Sequence, residues 1–234
     1  VGLGLLGFPW AGLRGDAVLS WLARIDLDRD RLKTLKILDS YDWHQRLWDC
    51  FPGAPEHKRD FVTRIDLLEG AVRAWLLSER KPLCPEWCPA EAFVAKEIAP
   101  GFLSHKHYAF DLRANPTKVV IQRSPDGSPM RKNNGKRTVG KRVPLVSHED
   151  LKSWIDRKAA EAGFRISAAR PLEIGPMVEH HFRAKGNRGY HGGVQFRGIL
   201  EVTDPVKFSE AYFKGIGTAK AFGFGLLLLS PVQP

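Results

Sequence analysis

His44 follows Tyr41 by one helical turn in the segment SYDWHQRLWDCF, so an imidazole and a phenol fall on one face of a predicted helix. An imidazole titrating at about 6.5 can take or give a proton near neutral pH, and a phenol or lysine can assist it. One reaction that needs only such groups is attack of an RNA 2′-hydroxyl on its own neighbouring phosphate. The hydroxyl must lose a proton, and the departing 5′-oxygen must gain one. No metal ion is required, and His44 could serve as general base or general acid. A histidine on an amphipathic helix can equally be structural, and spacing alone leaves both readings open.

The second chemical feature is the loop GIGTAKAFGFG, with Gly215, Gly217, Gly223 and Gly225 around Lys220. It lacks the Gly-Lys-Ser/Thr ending of a phosphate-binding P-loop. It also follows a predicted helix and leads into a strand, the wrong order for a dinucleotide fingerprint. What remains is bare backbone that another backbone can approach closely, with one lysine to meet a phosphate. A tight crossover is the alternative use of such glycines. Three cations, Arg183, Lys185 and Arg188, flank the turn GNRG, and a basic hairpin tip suits a helical RNA groove. Between Pro129 and Arg142 stand Arg131, Lys132, Lys136, Arg137, Lys141 and Arg142 with no acid, which predicts a mobile basic loop.

Other constellations point to structure rather than to metal. Cys84-Pro-Glu-Trp-Cys88 lacks a second ligand pair, and zinc sites usually close with four ligands. His105 and His107 share a strand face without a carboxylate cluster, while His180 and His181 point apart on a strand. The aromatics Phe182, Tyr190 and Phe196 are scattered rather than set in the motif with which RRM sheets read single strands. We therefore expect no metal and no cofactor.

Charge distribution fits a polyanionic partner. Residues 1–116 hold 16 basic and 16 acidic side chains, whereas residues 117–234 hold 20 and 10, which accounts for the whole net charge of +10. A solubility surface would spread its charge, but a phosphate-binding face concentrates it. Hydrophobic residues at 43% are enough to bury a core, yet no uncharged apolar run approaches the roughly 18 residues of a membrane span. Three cysteines cannot form a disulfide framework and suit a reducing cytoplasm.

These side chains need elements to position them. The glycine-rich residues 1–17, which lack a secretion-signal pattern, are set apart as an N-terminal extension. A strand is predicted over Val18–Asp26, then a helix capped by Asp39 or Ser40, then a hairpin of Phe61–Leu68 and Ala71–Leu77. Ala90–Lys96 reads as a short helix and His105–Ala114 as a strand closing a first domain over residues 18–115. In residues 116–234, KVVIQRS supplies a first strand and Ser147 caps a helix that stops at Gly163. Phe164–Lys185 and Tyr190–Val202 form a hairpin, Pro205–Lys214 is a helix, and LLLLS is a buried last strand. The fold class is α+β, with two tandem ferredoxin-like (RRM-like) βαββαβ domains.

In order and spacing, YDWHQRLWDCFPG, FDLRANPTK, KRVPLV, RGILEVTD and GIGTAKAFGFGLLLLSPV resemble the CasE-type CRISPR RNA endoribonucleases of type I-E Cascade complexes, over nearly the whole chain from Val18. The resemblance implies two ferredoxin-like domains that bind the stem-loop of a CRISPR repeat RNA. It implies metal-independent cutting on the 3′ side at the stem base, leaving a 5′-hydroxyl and a 2′,3′-cyclic phosphate. The protein would then stay on its guide RNA beside other Cascade subunits. The family's histidine falls on His44, its occasional tyrosine on Tyr41, its glycine loop on Gly215–Gly225 and its groove hairpin on Arg183–Arg188. Asp49 stands where some members carry an assisting lysine, which leaves open a catalytically silent RNA-binding subunit. Because binding by this basic half is electrostatic, the logarithm of RNA affinity should fall steeply and linearly with the logarithm of salt concentration in a filter-binding series.

Overall fold

A computed structural model describes residues 19–53, 59–121, 140–184 and 187–233. β1 (Trp21–Asp28) alternates strictly and turns Ala23, Ile25 and Leu27 into the core. α1 (Arg29–Leu35) starts where the Asp28 carboxylate accepts the Arg31 N–H and ends at Lys36, whose φ of 55° is left-handed. Its sequence carries no periodic signal, since Leu32 is its one buried residue. α2 (Ser40–Arg46) begins at Asp39 and runs into a 3₁₀ turn over Leu47–Cys50. β2 (Phe61–Leu67) and β3 (Ala71–Ser78) pair as the expected hairpin.

The short helix expected over Ala90–Lys96 is corrected to a 3₁₀ turn at Ala90–Ala92 followed by β4 (Phe93–Glu97). The exposed edge of β1 offers these residues a hydrogen-bonding partner, and that tertiary pairing outweighs a weak local helix propensity. The first sheet thus has the order β2-β3-β1-β4.

β5 (His107–Ala114) pairs not with this sheet but with the second one. After it, β6 (Thr117–Val120) and β7 (Lys141–Pro144) form a separate two-stranded ribbon. α3 (His148–Glu161) is capped by the Ser147 hydroxyl and buries Leu151, Trp154, Ile155 and Ala159 on one stripe. The long strand expected over Phe164–Lys185 is divided into β8 (Phe164–Ile166), β9 (Glu173–Ile174) and β10 (Val178–Ala184), because Pro171 and Gly175-Pro176 interrupt the ladder. All three pieces pair with successive stretches of β11 (Asn187–Val202). α4 (Pro205–Lys214) starts at Asp204 with Pro205 in its first turn, and β12 (Leu227–Pro231) closes the sheet in the order β10-β11-β5-β12.

Each main sheet therefore reads second, third, first, fourth strand, the order of a βαββαβ unit, and the chain is a tandem of two ferredoxin-like domains. The boundary expected at residue 115 is corrected by sheet membership. β5 opens the second unit, and the chain crosses between sheets in the segment 98–106. Both misplacements have one origin: reading β4 as helix left the first unit a strand short, and β5 was the next strand available to fill the gap.

Two hydrophobic clusters fill the units, one under α2 and one between the second sheet and α3 and α4. β2 joins them, with Phe61 in the first cluster and Val62 in the second. Next on the strand, Arg64 is only 3% exposed. Its Nε donates to Asp66 Oδ1 at 2.8 Å and its Nη1 to Asp111 Oδ1 of β5 at 2.8 Å. Burial pulls the pKa of this guanidinium down, but the Asp111 and Asp66 carboxylates outweigh it and raise the net value. Arg113 and the Trp75 indole N–H hold Asp66, and Arg197 holds Asp111. Arg64→Met should cost about 3 kcal/mol in urea unfolding, the low end for a broken buried pair because Arg113 and Arg197 still face the two carboxylates.

Candidate active site

Asp39 fixes the helix that carries His44. Its Oδ1 accepts the N–H groups of Tyr41 and Asp42, and Asp42 Oδ2 returns the bond to the Asp39 N–H, a reciprocal capping box. Trp43 and Leu47 bury the opposite face in the first core, and Arg46 Nη2 donates to the Leu35 carbonyl at 3.3 Å. Asp39 has a second task, since its Oδ2 accepts the Arg183 N–H of β10 at 2.8 Å. The helix start and the basic hairpin thus share one carboxylate.

His44 is half-buried, edge-on to Trp48 at 6.4 Å between ring centroids, and its Nδ1 is closed to solvent without a hydrogen-bond partner. Burial, and then the positive charge of Arg59, hold its pKa below the usual imidazole value of 6.5. The neutral ring therefore predominates at pH 7, the form that accepts a proton. Tyr41 occupies the preceding turn of the same face and is also half-buried.

α2 packs against both β10 and a 3₁₀ turn at Lys220–Phe222 in the glycine loop. Lys220 Nζ donates to the Lys214 carbonyl at the end of α4, at 2.7 Å. Burial, with the charges of Arg59, Lys158 and Lys214, lowers its pKa. Beyond it lies a cleft of about 310 Å³ whose walls include Lys158, Lys207, Lys214 and Lys220. Glu161 and Glu210 line the same cleft and pair with Lys158 and Lys214, so the charge it presents is mixed.

The four loop glycines have φ between +72° and +88°, and the reason is internal as well as functional. A side chain at Gly223 would meet Ile65 of β2 at 3.0 Å, and one at Gly225 would strike the Ile216 carbonyl at 2.5 Å. Close packing onto β2 and within the loop thus gives Gly215, Gly223 and Gly225 a structural reason, the tight crossover that the sequence left open. The loop in turn holds the hairpin. Phe222 lies tilted against Phe182 and His191 at 4.8 and 4.6 Å between centroids, and Phe224 meets His180 edge-on at 5.2 Å.

Of the residues singled out by sequence, His44 and Tyr41 on α2 and Lys220 in the glycine loop lie on elements that pack together. Arg183 and Arg188 face each other across the hairpin, both exposed, and Arg183 reaches α2 through its backbone N–H. Lys141 and Arg142 stand apart on the β6–β7 ribbon. Arg131, Lys132, Lys136, Arg137 and Lys185 lie outside the described residues. Asp49, in place of a cation, accepts the Trp87 indole N–H at 2.8 Å. The odd cysteines Cys50, Cys84 and Cys88 are free thiols, and burial pushes Cys50 and Cys88 up to about 12. Among the described residues, no three His, Cys, Asp or Glu side chains are grouped so that they could hold a metal ion. Sequence reading missed Arg59, a lone arginine between helix and strand, and the second role of Asp39, whose partner is 144 residues away.

The family model for "CRISPR associated protein" matches residues 20–231. The CRISPR system Cascade subunit CasE of Escherichia coli (strain K12) is 30% identical over 196 residues, covering 83% of this chain and 93% of that protein. The CRISPR-associated endoribonuclease Cse3 of Thermus thermophilus is 27% identical over 90% of this chain and 100% of its own length. The solved structure of Thermus thermophilus Cse3 bound to an RNA representing a pre-cleavage complex superposes with a TM-score of 0.70 at 24% identity, covering 91% of this chain and 99% of that one.

The joint between hairpin and loop is sensitive to acid. Burial first, then the charges of Arg113, His191 and His181, lower the His180 pKa to about 4, and burial lowers that of His191. The unfolded chain accepts these protons at about 6.5, so folding is fully favoured above that pH and loses stability as the pH falls toward about 4. Unfolding midpoints measured across this window should decline, and His180→Gln should remove part of the slope.

Proposed function

We propose, for a chain that belongs to the CRISPR associated protein family, that it is a metal-independent endoribonuclease processing precursor CRISPR RNA. It binds the repeat stem-loop, cuts at the stem base and stays on the mature guide RNA with other Cascade subunits in the cytoplasm. The observation that carries this reading is His44, kept neutral by burial and by the charge of Arg59, with an Nδ1 that no described residue engages.

In the reaction the neutral His44 imidazole takes the proton of the 2′-hydroxyl at the cut site. The 2′-oxygen bonds to phosphorus and the bond to the 5′-oxygen breaks, giving a 2′,3′-cyclic phosphate and a 5′-hydroxyl. Tyr41, one turn away, positions the RNA or protonates the 5′-oxygen. Lys220 meets a phosphate near the cut. Arg183 and Arg188 straddle the stem, since two like charges placed directly across a hairpin repel unless an anion lies between them. The wider basic surface adds contacts that carry no sequence information.

Asp49 gives one reason to keep a second reading, an RNA-holding subunit without chemistry. A labelled repeat stem-loop in EDTA separates the two. The parent chain should cut, and His44→Ala should bind with little change while its cleavage rate falls about 100-fold or more. Binding without cutting by the parent would overturn the enzyme in favour of the silent subunit.

A further inference from the structure

We propose that Arg59 is an anion site that holds an RNA phosphate beside His44 and stabilises the charge this phosphate gains as it is cut. The RNA substrate rests on the endoribonuclease reading; the anion site does not. Arg59 is half-buried, and its Nη1 is closed to solvent without a hydrogen-bond partner. Among the described residues, no carboxylate pairs with it. Its neighbour Asp60 gives both oxygens to Arg80, at 2.6 and 2.8 Å.

Other inward-facing arginines are treated differently by the fold. Arg64 has Asp66 and Asp111, Arg113 has Asp66, and Arg73 has Asp26. Arg59 instead has cationic company, because its charge reaches both His44 and Lys220. A buried cation without a counter-ion is costly, so a protein holds one where a ligand brings the missing charge. The groups available at this spot restrict the ligand to an anion that sits within reach of an imidazole.

An RNA phosphodiester meets that requirement and makes use of it. As the 2′-oxygen attacks, negative charge builds on the two non-bridging oxygens before the 5′-oxygen leaves. A guanidinium fork can donate an N–H to each of them. The one guanidinium on α2, that of Arg46, is turned to the Leu35 carbonyl, and Asp49 in the following turn is an acceptor. Arg59 also discourages protonation of His44 until a phosphate arrives to offset its charge.

The test uses the full chain with Arg59→Met and Arg59→Lys. Single-turnover cleavage is measured on the repeat stem-loop, and affinity on the same RNA carrying one 2′-deoxynucleotide at the cut. The His44 pKa is followed by proton NMR with and without inorganic phosphate. Arg59→Met should fold with a raised melting temperature, bind the deoxy RNA nearly as the parent does and cut about 100-fold more slowly, with partial rescue by lysine. Inorganic phosphate should raise the His44 pKa in the parent but not in Arg59→Met. Parental cleavage by Arg59→Met overturns the proposal, as does a loss of binding equal to the loss of cleavage. If the parent binds RNA without cutting it, the endoribonuclease reading fails and the phosphate titration decides alone. A phosphate effect that Arg59→Met abolishes then upholds the anion site, and no effect overturns it.

Discussion

The Arg64 guanidinium, closed off between two sheets and shared by Asp66 and Asp111, is the constraint on which the rest of the molecule depends. It forces β2 to be buried on both faces, from Phe61 through Arg64. One face then carries the ring contacts with Phe51 and Trp48 that seat the end of the α2 segment. Val62, on the other face, meets the glycine loop at Gly215, while Ile65, on the Phe61 side, meets it at Gly223. The helix of His44 and the turn of Lys220, far apart in the chain, pack together beside that strand.

Electrostatics divides the charges into two populations. Structural cations sit in closed pairs with carboxylates of the same or another strand. Near His44 the pattern differs: burial comes first in lowering the pKa of Arg59, His44 and Lys220 alike, and the charge of Arg59 adds to it at the imidazole and at Lys220. Such an arrangement weakens the protein alone and favours the protein with a polyanion. It is a trade that folds make at sites of binding, where local consistency gives way to function.

Much of this was legible in the residues. The hairpin of β2 and β3, the caps at Asp39 and Ser147, the stripe of α3 and the glycine loop each have local signals that survive into the fold. His44 and Tyr41 could be picked out by spacing. What was hidden depends on distant partners. β4 is a strand because β1 has an edge to fill, and β5 belongs to the second sheet because β11 and β12 flank it. Arg59 has no motif, and its significance lies in an absent partner, which no sequence pattern expresses. The loop glycines were legible as necessary but not for their main structural reason, the closeness of β2.

Asp39 carries a consequence for how a cut site is chosen. One carboxylate oxygen anchors the helix of His44 and the other anchors the backbone of the hairpin bearing Arg183, so the helix start and that strand are held at a set spacing. Under the proposed roles the protein would work as a calliper: selectivity would reside in the distance from the gripped helical segment to the scissile bond, and a repeat whose letters change while its stem keeps its length would present the same bond to the same jaw.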